Sequence, residues 1–249
     1  MTRWVRVFAM LVAWVPGLTF SADNIVISFD VANPPFMYER EGKAVGIYPA
    51  LVAAAFTHMQ VGTTLQARPW VRALRELDAG MTGIGGIYRN SEREQKYDFS
   101  NYDFSNPIYL EKLLVYFNQS KPVSFRTVDD LKHLRIGVVR GWSYGERFDL
   151  ARQTQIFSVE ETPSDEQNFN KLEQGRLDAV LAVAESGVIR MKELHHVQAA
   201  PMPLGENATF LAFSKSAGKQ ALLKQFDLTL KAMHASGEFE RIVAAELAR

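Results

Sequence analysis

The chain predicts an α/β protein of two similar lobes, each a mostly parallel sheet with helices packed on it. Three observations carry this reading. Apolar strand-like runs alternate with helix-like ones, the order that builds a parallel sheet with crossover helices. The alternation restarts in the second half of the chain. The junction Gly175 to Val180 also repeats the logic of Gly80 to Ile84, a glycine that ends a helix just before a buried strand.

Ile25 to Phe29 is the first strand. Asn33-Pro34-Pro35 then forces an extended turn, because each proline fixes its own backbone and restricts the residue before it. Pro49 suits the first turn of a helix running through Ala55, with Gly46 just upstream. Thr64 to Ala67 is a second strand, Val71 to Ala79 a helix stopped by Gly80, and Met81 to Ile87 a third strand. Asn90 to Lys96 forms a short polar helix that carries Arg93 and leads into the doubled cassette YDFSN-YDFSN-PIY, Tyr97 to Tyr109.

In the second lobe, Thr127 to Asp130 is a capped helix start, Arg135 to Val139 a strand and Gly145 to Gln153 a helix. Ser164 to Gln167 is a capping box opening a helix to Gln174. Two extended apolar runs, 112 to 117 and 209 to 215, flank this lobe, so the chain crosses between lobes twice. The last helix, with Leu222, Leu223, Phe226, Leu230 and Met233 at near-helical spacing, packs back on lobe one. Lobe one is therefore 22–117 plus 209–249, and lobe two 118–208.

Residues 1–21 read as an export signal. Arg3 and Arg6 supply the positive flank, Val7 to Leu18 the apolar stretch, and Thr19-Phe20-Ser21 the small-x-small cleavage site. The stretch falls short of the roughly 20 residues that cross a bilayer. A soluble, periplasmic or secreted protein is expected. The absence of cysteine excludes disulfides, a thiol nucleophile and a lipidated N-terminal cysteine. Losing Arg3 and Arg6 leaves 26 basic against 28 acidic residues, a balance that disfavours nucleic acid, which needs a basic face. The 47% hydrophobic and 22% charged content is that of an ordinary globular chain. No cofactor is expected, and the five histidines show no metal spacing.

Arg93 is the leading candidate for a ligand clamp: a guanidinium offers paired donors that match a carboxylate and stays charged at any relevant pH. The plainer reading is a solvated helix arginine paired with Glu92 or Glu94. Phe36, Tyr38 and Trp70 lie where loops at strand ends gather into ligand crevices, although aromatic residues more often serve core packing. Gly141-Trp142-Ser143-Tyr144-Gly145 follows a strand and precedes a helix. It fits a nucleophile elbow, with Asp165 or Asp178 and His195 or His196 following in hydrolase order, or an anion-holding turn without chemistry.

Taken together, these pieces resemble family 3 extracellular solute-binding proteins, the periplasmic receptors of ABC importers of polar amino acids. The resemblance is carried by NPPFMY, GIYPALVAAAF, RPWVRALREL, GGIYRNSEREQKYDFSN, DLKHLRIGVVRGWSYG, LEQGRLDAVLA and SGEFERI, in that order and spacing. It implies a two-lobe periplasmic-binding-protein fold with a two-stranded hinge, a monomer without catalytic residues, and a membrane permease as partner. Its site residues fall on Phe36 to stack on the solute, Trp70 on the lobe-one wall, Gly86 and Tyr88 offering backbone groups, Arg93 gripping a carboxylate and Ser143 touching the same anion. The guest is a small anionic or zwitterionic solute. Three features depart from the family pattern: the second cassette copy Tyr102 to Asn106, Met81-Thr82 ahead of the third strand, and Val183 where an ammonium-pairing acid is usual, with Glu185 the nearest substitute. An enzyme on the same fold, a cyclic-carboxylate dehydratase or a hydrolase using Ser143, is the alternative, as is a ligand-sensing receptor subunit.

Overall fold

The computed structural model describes residues 24–89, 98–140 and 142–249. Residues 1–21, read above as an export signal, and Arg93 with the short polar helix expected around it lie outside them. In the first half of the chain, β1 (Ile25–Asp30) is followed by β2 (Ala32–Asn33), β3 (Met37–Arg40) and β4 (Lys43–Val45), which form a small antiparallel sheet of their own. Then come α1 (Ile47–His58), β5 (Thr63–Arg68), α2 (Trp70–Asp78) and β6 (Gly83–Tyr88). β1 pairs parallel with β5 (Ile25 to Thr63) and with β6 (Ile27 to Gly83), so the first strand is central and the next two flank it. The amphipathic face of α2, Ala73, Leu74 and Leu77, is buried and packs on this sheet with Ile84 and Ile87.

The chain then passes through β7 (Tyr102–Phe104), the long β8 (Tyr109–Asn118) and a single 3-10 turn at Val128–Leu131, where Thr127 and Asp130 form a reciprocal capping box. The second half repeats the first. β9 (Arg135–Val139), α3 (Glu146–Gln153), β10 (Ser158–Thr162), α4 (Asp165–Glu173), β11 (Ala179–Val183), α5 (Ala184–Met191) and β12 (Val197–Ala199) follow in turn. Here too the first strand is central, with β10 and β11 parallel on either side. The chain finishes with β13 (Gly205–Ser214), α6 (Gln220–Ala235) and α7 (Glu238–Leu247).

One continuous sheet joins the two halves, in the order β10-β9-β11-β8-β13-β6-β1-β5. β8 pairs antiparallel with β11 of the second half, β13 pairs antiparallel with β6 of the first, and the two meet from Tyr109–Thr209 to Leu113–Gly205. The doubled cassette finds its place here. Part of its first copy makes a 3-10 turn at Phe99–Asn101, while the second supplies β7, which pairs with β13 from Tyr102–Ser214 to Phe104–Ala212. Phe99, Tyr102 and Phe104 then pack ring against ring.

α6 docks on the first half through Leu223, Phe226, Leu230 and Met233, with the Phe226 ring 5.8 Å from that of Phe56 on α1. Ser164 caps α4 by accepting the Gln167 N–H at 3.3 Å, the half of the expected capping box that serves the helix N-terminus. No helix among the described residues is long and apolar enough to cross a membrane.

Candidate functional site

A parallel sheet delivers the carboxyl ends of its strands to one edge, and the loops beyond them gather there. Asp30 at the end of β1, Trp70 at the start of α2 and Tyr88 at the end of β6 therefore converge on the same side of the first half. They face Arg140 and Trp142, which follow β9 in the second. Between them lies a cleft of about 240 Å³, completed by Asn33, Met37 and Gly86.

Each wall is fixed from behind. The Tyr88 hydroxyl donates to Glu111 Oε2 at 2.5 Å, and Glu111, buried on β8, also accepts from the Tyr48 hydroxyl. Gly86 has φ +81°, and a Cβ there would stand 2.7 Å from the Tyr48 ring and 2.8 Å from Met37 Sδ. Only glycine lets β6 carry its backbone this close to the cleft wall. On the opposite side, buried Asp149 organises the turn after β9. It accepts the Ser143 hydroxyl at 2.5 Å and the Tyr144 N–H at 3.2 Å, and pairs with Arg152 at 3.4 Å. The Tyr144 hydroxyl in turn accepts the Val139 N–H at 2.8 Å, next to Arg140.

Charge is distributed across the two walls. Partial burial raises the Asp30 carboxyl above the usual range, while the backbone N–H groups of Val31 and Ala32 pull it back. Arg140 is exposed and makes no side-chain ion pair with any described residue. Asn33 is only 5% exposed, and its Oδ1 has no hydrogen-bond partner. A buried acceptor left unpaired costs on the order of 1–3 kcal/mol. The cleft thus offers an acid, an exposed cation and two indole rings, with the Asn33 acceptor shut behind its wall.

Trp70, Gly86 and Tyr88, expected from the sequence, are brought together here. Phe36 is not: it is fully buried, packed at 5.2 Å from the Tyr48 ring and 5.9 Å from that of Tyr109, and the next residue, Met37, lines the cleft instead. Ser143 is turned toward Asp149, and its neighbours Trp142 and Arg140 face the cleft. Glu185 accepts from the Tyr109 hydroxyl at 2.6 Å, and its second oxygen, Oε2, is buried without a partner. Val183 is buried. Arg93 lies outside the described residues, five positions beyond Tyr88.

Of the other elbow residues, Asp178 Oδ2 accepts the backbone N–H of Arg135 at 2.9 Å, and the exposed His195 and His196 donate their backbone N–H groups to the Glu173 carboxylate. Sequence reasoning missed Asp30, Asn33 and Arg140 as site residues. The available signal was position, since Asp30 and Arg140 each stand at the carboxyl end of the central strand of their half.

The twin three-stranded units, the shared central pair of strands and a cleft lined from both sides define a periplasmic-binding-protein fold. The chain belongs to the bacterial extracellular solute-binding proteins, family 3, whose sequence profile it matches over residues 25–245. It is similar to the L-cystine-binding protein TcyJ of Escherichia coli K12, with 26% identity over 214 residues, 85% of this chain and 75% of that protein. In structure it resembles the GluR0 ligand-binding core in complex with L-glutamate, with a TM-score of 0.72, 18% identity, and 91% and 99% of the two chains covered. It also resembles the amino acid ABC transporter substrate-binding protein AbpA of Streptococcus pneumoniae bound to L-arginine, with a TM-score of 0.67, 20% identity, and 90% and 94% covered.

Proposed function

We propose that this protein is an exported, non-catalytic receptor that captures an amino acid-like, carboxylate-bearing solute by closing its two halves, 22–117 with 209–249 and 118–208, and hands it to an ABC importer in the membrane. The observation that carries the reading is the opposed chemistry of the cleft: Asp30 on one wall, Arg140 on the other. A zwitterionic head group satisfies both at once, its ammonium toward Asp30 and its carboxylate toward the cation. The relatives named for L-cystine, L-glutamate and L-arginine share that head group and differ beyond it.

In this assignment Trp70 and Trp142 flank the guest, Gly86 and Tyr88 present backbone groups, and Arg93 joins Arg140 on the carboxylate. Phe36 backs the site through Tyr48 rather than touching the solute. Ser143 sets the turn that carries Arg140 and Trp142, and Glu185 holds the second half to Tyr109.

Calorimetric titration of the purified protein with the common amino acids tests the reading. Arg93→Ala and Arg140→Ala are each expected to weaken the best ligand by about 2 to 5 kcal/mol, the usual penalty for breaking a desolvated charged pair. Unchanged affinity in both variants overturns the carboxylate grip, and no binding of any amino acid overturns the reading as a whole.

A further inference from the structure

None of the described cleft-lining residues comes from the doubled cassette, yet its second copy, Tyr102 to Asn106, is built firmly into the first half. Its strand β7 lies along β13, and the chain beyond stays tied there: the Ser105 N–H donates to the Leu211 carbonyl at 2.8 Å, and the Ser105 hydroxyl accepts the Leu211 N–H at 3.0 Å. Residues two apart on a strand project from the same face. Tyr102 and Phe104 therefore point together, with their rings 6.3 Å apart, and Tyr102 enters the apolar cluster under α2.

Each of these two side chains meets a different carrier of the cleft wall. The Tyr102 hydroxyl donates to the carboxylate of Asp78, the last residue of α2, whose first residue is Trp70. An acid in the last turn of a helix opposes the backbone dipole, so Asp78 is unfavourable there unless a donor meets it. Burial and the bond to Asp78 raise the pKa of the phenol, which keeps it a donor. α2 spans only nine residues, about 13 Å, and Trp70 packs against the same cluster that holds Leu74, Leu77, Phe99 and Tyr102. A shift at one end of so short a helix is passed to the other.

Phe104 meets the second carrier. The guanidinium of Arg89, which follows Tyr88 at the end of β6, stands over the Phe104 ring at 5.1 Å, within range of a cation–π contact. Phe104 is held in turn by Phe99 and Phe210, at 5.4 and 5.9 Å.

We propose that the second cassette copy positions the cleft wall: Tyr102 and Phe104 hold α2 and the end of β6 from one strand, and so set the gap between Trp70 and Tyr88 into which the body of the solute fits. Both are positioning residues, since neither lines the cleft. The inference rests on the amino acid reading of that cleft.

Two measurements on the mature protein test it. Of the four tryptophans, Trp4 and Trp14 lie in the expected export signal, so in a Trp142→Phe background Trp70 is the sole indole, and acrylamide quenching of its fluorescence reports on that wall alone. Titration calorimetry with L-cystine, L-glutamate and L-arginine, without the Trp142 change, gives the affinities. Phe104→Leu is expected to weaken the tightest of the three about threefold and to raise the quenching of Trp70. Tyr102→Phe, which loses only the bond to Asp78, is expected to act in the same direction. Phe104→Tyr keeps a ring beneath Arg89 and should restore both readouts. A role in stability alone would lower the melting temperature of these variants and leave affinity and quenching of the folded protein unchanged. Should Phe104→Leu not fold, Arg89→Ala removes the same contact from its exposed end and decides.

Wild-type affinity and quenching in either Phe104→Leu or Tyr102→Phe overturns the positioning role, as does a change in one readout without the other, or a loss that Phe104→Tyr does not repair. In those cases the amino acid reading of the cleft stands. A wild type that binds none of the three probes removes that reading and this inference with it.

Discussion

At the scale of single residues, the cleft is set by what stands behind it. Gly86 carries β6 past Tyr48 and Met37 with a left-handed backbone, and the Tyr48 hydroxyl shares Glu111 with that of Tyr88. Gly86→Ala adds a methyl group into the Tyr48 ring and imposes a φ that alanine disfavours. It should cost about 2 to 3 kcal/mol in urea unfolding and weaken amino acid binding as Tyr88 is displaced. Wild-type stability in this variant would show that the strand has room to shift. The same residues explain what was hard to read from sequence. Phe36 and Met37 are both apolar, both follow the double proline and both end buried in one core, and that Met37 rather than Phe36 borders the cleft depends on where the ring of Tyr109, more than seventy residues away, comes to rest. Arg140 follows the end of β9, and its role depends on a facing wall that only the assembled halves supply.

At the scale of elements, local pattern was a good guide wherever one face of an element is buried and a glycine or cap marks its end. β9 spans Arg135–Val139 as expected, and α2 starts at Trp70 after Pro69 and stops at Asp78 ahead of Gly80. The elements missed include the small sheet of β2, β3 and β4, whose strands of two to four residues are too short to show a period, the strands β10 and β12, the short α5 that directly follows β11, and α7, which packs on the remote α1. α6 shows how a remote partner supports a terminal helix. Phe226 is fully buried and meets Phe56 of α1, so the chain's last third is tied to its first. Phe226→Ala is expected to lower stability by about 3 to 5 kcal/mol, with no direct effect on the cleft. Equilibrium unfolding checks the first part and calorimetry with the best ligand the second, and a loss below about 1 kcal/mol would mean that α6 docks mainly through its other side chains.

At the scale of the whole molecule, the decisive feature is how little backbone joins the halves. Among the described residues the sheet passes from one to the other only where β8 meets β13, over the short span from Tyr109–Thr209 to Leu113–Gly205, with a shift of register in β13 just beyond, between Phe210 and Leu211. Across this joint Tyr109 packs against Phe36 and Phe239 of the first half while its hydroxyl reaches Glu185 of the second. Two joining strands, with the cleft lined from both sides, are what the proposed hinge closure around a solute requires.

The proposed closure on the ligand would have two linked consequences. A solute that binds only the folded form raises stability by about 2.7 kcal/mol at a hundredfold excess over its Kd. If the halves also swing together, solution X-ray scattering should give a smaller radius of gyration for the protein saturated with its best amino acid than for the free protein. Arg140→Ala at the same solute concentration should keep the larger value, because the second half has then lost its grip on the carboxylate. Thermal stabilisation without contraction would place the solute in a cleft that is already closed. The two strands would then be a fixed joint, and affinity would depend on the preset distance between Asp30 and Arg140 rather than on movement.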